Sequence, residues 1–310
     1  MLNITVAVGG PTASGKSGTA VSLAKKIDGE IISADVMQSY RELSIGTAKP
    51  TASEMEEIPH YMVDEYSIFD DVDTAVYSER ALKYINEARN KNRTPIITGG
   101  SVLYLDSILY ASYDYADNTV DQAYREALMK TAEEKGADYL YGLLCDCDPE
   151  YAQNTHPNNV KRIIRALEYY KASGTKKSSN AKTKTFRNPW TYYFAIRVDR
   201  DILYKRIDTR VDEMVNRGLI DEVRALICDE KTLKRNAMQA IGYKEIAHAL
   251  IHNENILEAV AAVKQKSRNY AKRQYTWLNA NPDIIWLDAQ IYDNHEKRAD
   301  RMIEVIYDKN

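Results

Sequence analysis

"GGPTASGKSGTA", residues 9–20, is the stretch that decides the fold. Gly10 is followed by four residues and then Gly15-Lys16-Ser17, the spacing of a phosphate-cradling loop. Such a loop works because successive backbone N–H groups and the positive end of the following helix converge on an anion. The context is right on both sides. "ITVAV" before it is a short β-branched run that stops at glycine, and Ala20, Leu23, Ala24 and Ile27 after it recur at helical spacing. Gly10, Pro11, Thr12, Ala13, Ser14, Gly15, Lys16 and Ser17 are therefore expected to bind a phosphorylated group, with Lys16 on the outer phosphate and Ser17 holding Mg²⁺.

Working outward, "EIISAD" (30–35) and "TPIITGG" (94–100) read as further buried strands, and "AVYSERALKYINEARNKN" (75–92) between them has the period of an amphipathic helix. Strand, helix, strand in this order predicts an α/β fold of the P-loop kind, a parallel sheet with helices on both faces. A nucleotide hydrolase or kinase also needs a carboxylate at the end of a neighbouring strand to place magnesium. "TPIITGG" supplies none, so Asp35, at the end of "EIISAD", is the candidate, to serve magnesium or to act as a base.

Past Asn118 the pattern changes to helical segments with no strand between them, leading into the polar, basic "TKKSSNAKTKTFRNP" (175–189). Residues 118–190 are read as a helical insertion ending in a mobile basic loop, with 1–117 and 191–310 forming the core. "TYYFAIRVD" and "DIIWLD" return to strand character, the helix "RDILYKRIDTRVDEMVNRG" follows the first of them, and "DNHEKRADRMIEVIYDKN" (293–310) reads as a closing helix.

The 310 residues carry 44% hydrophobic and 28% charged side chains, which excludes a disordered or collagen-like chain. A net charge of −3 does not advertise nucleic-acid binding, but Lys171 to Arg187 holds six basic residues and no acid, so a local polyanion surface stays open. Cys145, Cys147 and Cys228 lack the spacing of a disulfide framework or zinc site. No apolar run reaches membrane-spanning length and no leader is visible, so a soluble cytoplasmic protein without membrane contact is expected. His248 and His252 lie four apart but have no third ligand, which favours ordinary histidines over a metal pair.

Six ordered stretches, "GPTASGKS" (10–17), "IISADVMQSYRELSIGTAKP" (31–50), "HPNNVKRIIRALEYY" (156–170), "RIDTRVDEMVNRGLIDEV" (206–223), "QAIGYKE" (239–245) and "YAKRQYTWL" (270–278), together resemble the tRNA dimethylallyltransferase (tRNA isopentenyltransferase) family across nearly the whole chain. The resemblance implies that the loop takes the diphosphate of dimethylallyl diphosphate and that the prenyl group goes to N6 of adenosine 37 of tRNAs reading codons that start with U. It implies Asp35 as general base, with Ser101 and Arg210 acting toward the diphosphate, and Mg²⁺ as cofactor. Asp35, Val36, Met37, Gln38, Ser101, Lys161, Arg162, Ile163, Ile164 and Arg165 match the segments that contact the anticodon stem-loop. A base in that stack must be flipped out to react.

Alone, Arg210 reads better as a helix charge paired with Asp208 or Glu213, and Lys161 to Arg165 better as a solvated face. Val36 and Ser39 depart from the family's pattern after the aspartate. Ser101 stands for the usual threonine, and Val102 for a glycine, where a β-branched residue would be strained at φ > 0. A small-molecule P-loop kinase, an adenylate isopentenyltransferase acting on free nucleotide, and an RNA-binding relative with weakened catalysis are the alternatives. With no oligomerisation stripe, a monomer is expected.

Overall fold

Each apolar run singled out above becomes a strand that stops within two residues of its expected glycine or acid. The computed structural model describes residues 4–111, 121–182 and 184–308. Strands β1 (Thr5–Gly9), β2 (Gly29–Ser33), β3 (His60–Tyr61), β4 (Thr94–Thr98), β5 (Thr191–Arg197) and β6 (Ile284–Asp288) form one parallel sheet in the order β3-β2-β4-β1-β5-β6. Val6 pairs with Ile96 on one side and Tyr192 on the other. All residues of β1 and β2 are buried, as a sheet covered on both faces requires.

On one face the helices Lys16–Ile27 and His295–Asp308 close over Val6, Val8, Ile31, Ile96 and Phe194, using Leu23, Met302 and Ile306. On the other, the helix Thr74–Asn90 docks through Tyr77, whose hydroxyl donates to the Ser33 carbonyl at 2.9 Å. The 24-residue helix Ile256–Asn279 and the helix Arg200–Asn216 pack Ala271, Leu203 and Ile207 against Ile196 and Val198. The connections after β1, β2 and β4 all open at the carboxyl ends of their strands, where open α/β sheets bind ligands. No helix among the described residues is long and apolar enough to cross a membrane.

The chain divides into a unit made of the stretches before Tyr110 and after Arg187, and a second unit, Tyr110–Arg187. The second unit's ends, at Tyr110 and Arg187, lie near the expected limits of 118 and 190, and the two segments there are paired with each other. There the Tyr110 and Phe186 rings stack at 4.6 Å and the Ala111 N–H donates to the Thr185 carbonyl at 2.9 Å. The 117/118 boundary itself lies outside the described residues, as do 309–310 of the closing helix. Within this unit the helices Gln122–Lys135, Ala137–Cys147, Pro149–Gln153 and Val160–Ser173 surround Leu128, Leu140, Leu144 and Leu167. The stretch read as a mobile basic loop holds a 3-10 turn, Lys177–Lys182, and the buried Asp148 carboxylate accepts the Ser178 N–H at 2.9 Å. A side chain 30 residues away thus orders what composition alone marks as loose.

Candidate active site

The phosphate loop takes its shape from left-handed residues at Ala13 (φ 62°) and Gly15 (φ 88°). This alternation turns neighbouring N–H groups toward one point, the geometry of an anion nest. Not all eight loop residues contribute an amide. Pro11 has none, the Ser14 N–H is spent on the Pro11 carbonyl at 3.2 Å, and the Thr12 N–H donates to the Gln274 side chain at 2.9 Å. The amides of Ala13, Gly15, Lys16 and Ser17 are left to face an anion. Lys16 crosses the loop mouth with its Nζ 3.4 Å from the Pro11 carbonyl. Burial lowers its pKa to about 8, the Asp35 carboxylate opposes that shift, and the Arg210 guanidinium adds to it.

Asp35 follows β2 and caps the short 3-10 turn Val36–Ser39 by accepting the Met37 N–H at 3.3 Å. Burial raises its pKa above the ordinary carboxylate range, against the pull of Lys16, the Met37 N–H and Arg210. A carboxylate whose pKa is raised is a stronger base and suited to taking a proton. Ser101 begins the helix Val102–Leu109 after β4, accepting the Tyr104 and Leu105 N–H groups on its carbonyl, and its hydroxyl meets the Tyr270 hydroxyl. Val102 is not among the positive-φ residues, so the strain expected from replacing glycine is absent. Ser39, the other polar departure, donates from its hydroxyl to the Val36 carbonyl at 2.6 Å and fastens the turn below Asp35.

Arg210 projects from the helix Arg200–Asn216 toward Asp35 and makes no ion pair among the described residues. Its neighbour Asp208 is engaged by Arg268 instead, which removes one of the two pairings weighed above. Burial lowers the Arg210 pKa, opposed by Asp35, Glu54 and Glu213.

Two cavities meet on these residues. The smaller, about 80 Å³, is lined by Lys16, Ser17, Ser33 and Thr98, and the larger, about 520 Å³, by Val36, Val102, Leu103, Val211, Met214 and Trp277. Thr12, Asp35, Thr47, Arg210, Tyr270 and Gln274 line both. A polar, cationic chamber therefore opens beside an apolar one, with Asp35 at the junction. Trp277, half exposed at 49%, belongs to this wall and not to the core.

Two residues that sequence reasoning did not single out hold the Thr47 segment. The Glu222 carboxylate accepts the N–H groups of Ser44, Ile45 and Gly46 at 2.8 to 3.2 Å and the Tyr243 hydroxyl. Gly46 has no alternative: a side chain there would meet the Tyr243 ring at 2.5 Å. Gln38 closes the same segment, donating to the Thr47 and Ala48 carbonyls at 3.3 Å, so its amide is engaged inside the protein. Glu222→Ala would strand the Ser44 and Ile45 amides, leave the Gly46 amide only the Tyr243 hydroxyl, and is expected to cost about 2–3 kcal/mol. A urea unfolding series checks this, and a loss under about 0.5 kcal/mol would show that the brace is idle.

In the second unit, Lys161, Arg162 and Arg165 are exposed on the helix Val160–Ser173. Ile163 and Ile164 are 0% and 3% exposed in that unit's core, so their side chains are packing residues, and their expectation as RNA contacts is corrected. Arg162 lies over the Tyr151 ring and donates to its hydroxyl at 3.1 Å. Lys177 faces the same ring and that of Tyr169, its pKa lowered first by burial and then by Arg165 and Arg162. His248 and His252 are exposed, His248 bonded to Glu254 at 3.0 Å, and no group of three metal-ligating side chains occurs among the described residues.

The charge state of Lys16 sets a pH expectation. Its ammonium form grips an anion, and burial favours the neutral form, so the affinity of the free protein for inorganic pyrophosphate should fall as pH rises through about 8. Calorimetry across pH 7 to about 9.5 reads this, and Lys16→Arg, which keeps its charge, should flatten the decline.

A family model described as IPP transferase matches residues 38–281. A tRNA dimethylallyltransferase of Lachnoclostridium phytofermentans is 40% identical over 304 residues, 97% of this chain and 96% of the relative. One from Acetivibrio thermocellus is 42% identical over 304 residues, 96% and 95% of the two chains. Among solved structures, a tRNA isopentenylpyrophosphate transferase of Staphylococcus epidermidis superposes with a TM-score of 0.71 at 36% identity, covering 98% of this chain and 99% of that one. A eukaryotic dimethylallyltransferase described as acting on tRNA gives 0.84 at 26% identity, covering 98% and 78%.

Proposed function

Because this chain belongs to the IPP transferase family, we infer that it is a prenyltransferase acting on tRNA, moving the dimethylallyl group of dimethylallyl diphosphate to N6 of adenosine 37. The observation that carries this reading is the pair of joined cavities: a cationic chamber for the diphosphate, an apolar one for the prenyl chain and the base, and Asp35 where they meet. A small-molecule kinase would have little use for the apolar chamber, and nothing in the site favours a free nucleotide as acceptor.

The exocyclic amine of adenine is a weak nucleophile, its lone pair delocalised into the ring. As the N6–C1 bond forms, Asp35 takes the N6 proton and the C1–O bond to diphosphate breaks. The charge that gathers on the departing diphosphate falls to the cradle amides, Lys16 and Arg210. Ser101 and Tyr270, hydroxyl to hydroxyl, border the path of the amine. The exposed Ser17 hydroxyl has no partner among the described residues and shares the small cavity with Asp35. With no carboxylate cluster among the described residues, this donor set fits Mg²⁺ bound mostly by phosphate oxygens and water. Bound there through Ser17, the ion would neutralise diphosphate charge.

Lys161, Arg162 and Arg165 are the residues of the second unit proposed to meet the anticodon arm, by phosphate contacts and by stacking beside Tyr151. The protein is proposed to work as a cytoplasmic monomer. Mass spectrometry of an anticodon stem-loop carrying A36-A37-A38, incubated with the protein, dimethylallyl diphosphate and Mg²⁺, tests the reading. One prenyl group on A37 is expected. An unmodified stem-loop that still binds would leave only an RNA-binding relative.

A further inference from the structure

Gln274 is 3% exposed on the helix Ile256–Asn279, and both ends of its carboxamide are spent on backbone. Its Oε1 accepts the Thr12 N–H of the phosphate loop at 2.9 Å, and its Nε2 donates to the Gly100 carbonyl, just before Ser101, at 2.7 Å. Tyr270, one helical turn earlier, donates from its hydroxyl to the same carbonyl at 3.3 Å. The fit is close: a side chain at position 100 would come within 2.5 Å of the Gln274 nitrogen. Gln274 also lines both cavities.

We propose that Gln274 is a positioning residue that ties the phosphate loop to the turn after β4 and so fixes the gap between the departing diphosphate and the incoming amine. The inference rests on the prenyl-transfer reading above. The two loops leave different strands and no backbone hydrogen bond between them is recorded among the described residues, so the carboxamide is a direct strut between them. The carboxamide offers one acceptor and one donor at this reach whatever the pH. A carboxylate would satisfy the Thr12 N–H but set an oxygen against the Gly100 carbonyl, and a thioether of equal length would satisfy neither. With the thioether the Thr12 N–H would lack a partner in a water-poor pocket, the Gly100 carbonyl would keep only the longer Tyr270 bond, and the two loops would lose the side chain that joins them. Misplacement of reacting groups by about 1 Å costs about a hundredfold in rate.

The test compares wild type, Gln274→Met and Gln274→Glu in prenyl transfer to the stem-loop, with melting temperature and stem-loop affinity measured alongside. Both variants are expected to hold stem-loop affinity within about twofold and to lose about a hundredfold in kcat, with the donor KM changed less than about threefold. A folded Gln274→Met with kcat within about threefold of wild type overturns the proposal, as does a loss that appears only in KM. Should both variants fail to fold, amide hydrogen exchange on the unliganded wild type decides. The Thr12 amide is expected to exchange at least about tenfold more slowly than those of Ala13 and Gly15, and equal rates overturn the strut. If wild type transfers no prenyl group, the functional reading fails while the exchange result still reports on the strut.

Discussion

Asp35→Asn is expected to lower prenyl-transfer turnover about a thousandfold while stem-loop affinity stays within about twofold of wild type. Asparagine matches aspartate in size and still accepts the Met37 N–H, so the turn that carries residues 36–39 keeps its cap. What disappears is the only change the reaction needs from this side chain, acceptance of the N6 proton. Loss of an exposed acid would leave both numbers untouched. Loss of a structural one would lower binding and melting temperature with turnover. Single-turnover kinetics with excess enzyme separates the cases, and turnover within about tenfold of wild type removes Asp35 as the base.

Arg210→Ala is expected to cost about a hundredfold or more in kcat, since a partly buried cation facing the cavity acts on developing charge where water is scarce. Its signature lies in the pH profile. Arg210 holds the Asp35 pKa down, so its removal lets burial raise that pKa further, and the acidic limb of the rate profile should move to higher pH. Arg210→Lys should keep the limb near its wild-type position because the charge remains. An unshifted acidic limb in Arg210→Ala would place the guanidinium too far from Asp35 to matter.

The sheet was legible because its signals are local. β-branched runs end at or beside glycines, and the helix Lys16–Ile27 begins within the last two residues of the loop motif. The strand His60–Tyr61 escaped because two residues carry no period; it exists through pairing with Ile31 and Ile32. The phosphate loop and Asp35 were readable as types and Arg210 only through the family resemblance, whereas the amides left without an internal partner were not readable. Thr12 is engaged by a residue 262 positions away, and Glu222 reaches back across 176 to 178 positions to the segment it holds. A helical-wheel reading would have found one of them, because Tyr270, Gln274 and Trp277 share a face of their helix at spacings of four and three. The same spacing in Val160, Ile163, Ile164 and Leu167 marks two of the matched residues as core, which whole-segment transfer from the family obscured.

The distance in sequence between Thr12 and Gln274 also has a meaning in time. A ribosome adding about 5–20 residues per second needs roughly 13–50 seconds to make the 262 positions that separate them. Throughout that interval the nascent chain displays the phosphate motif without the side chain that finishes it. The Thr12–Gln274 bond can therefore form only after β1 to β5 have all been made.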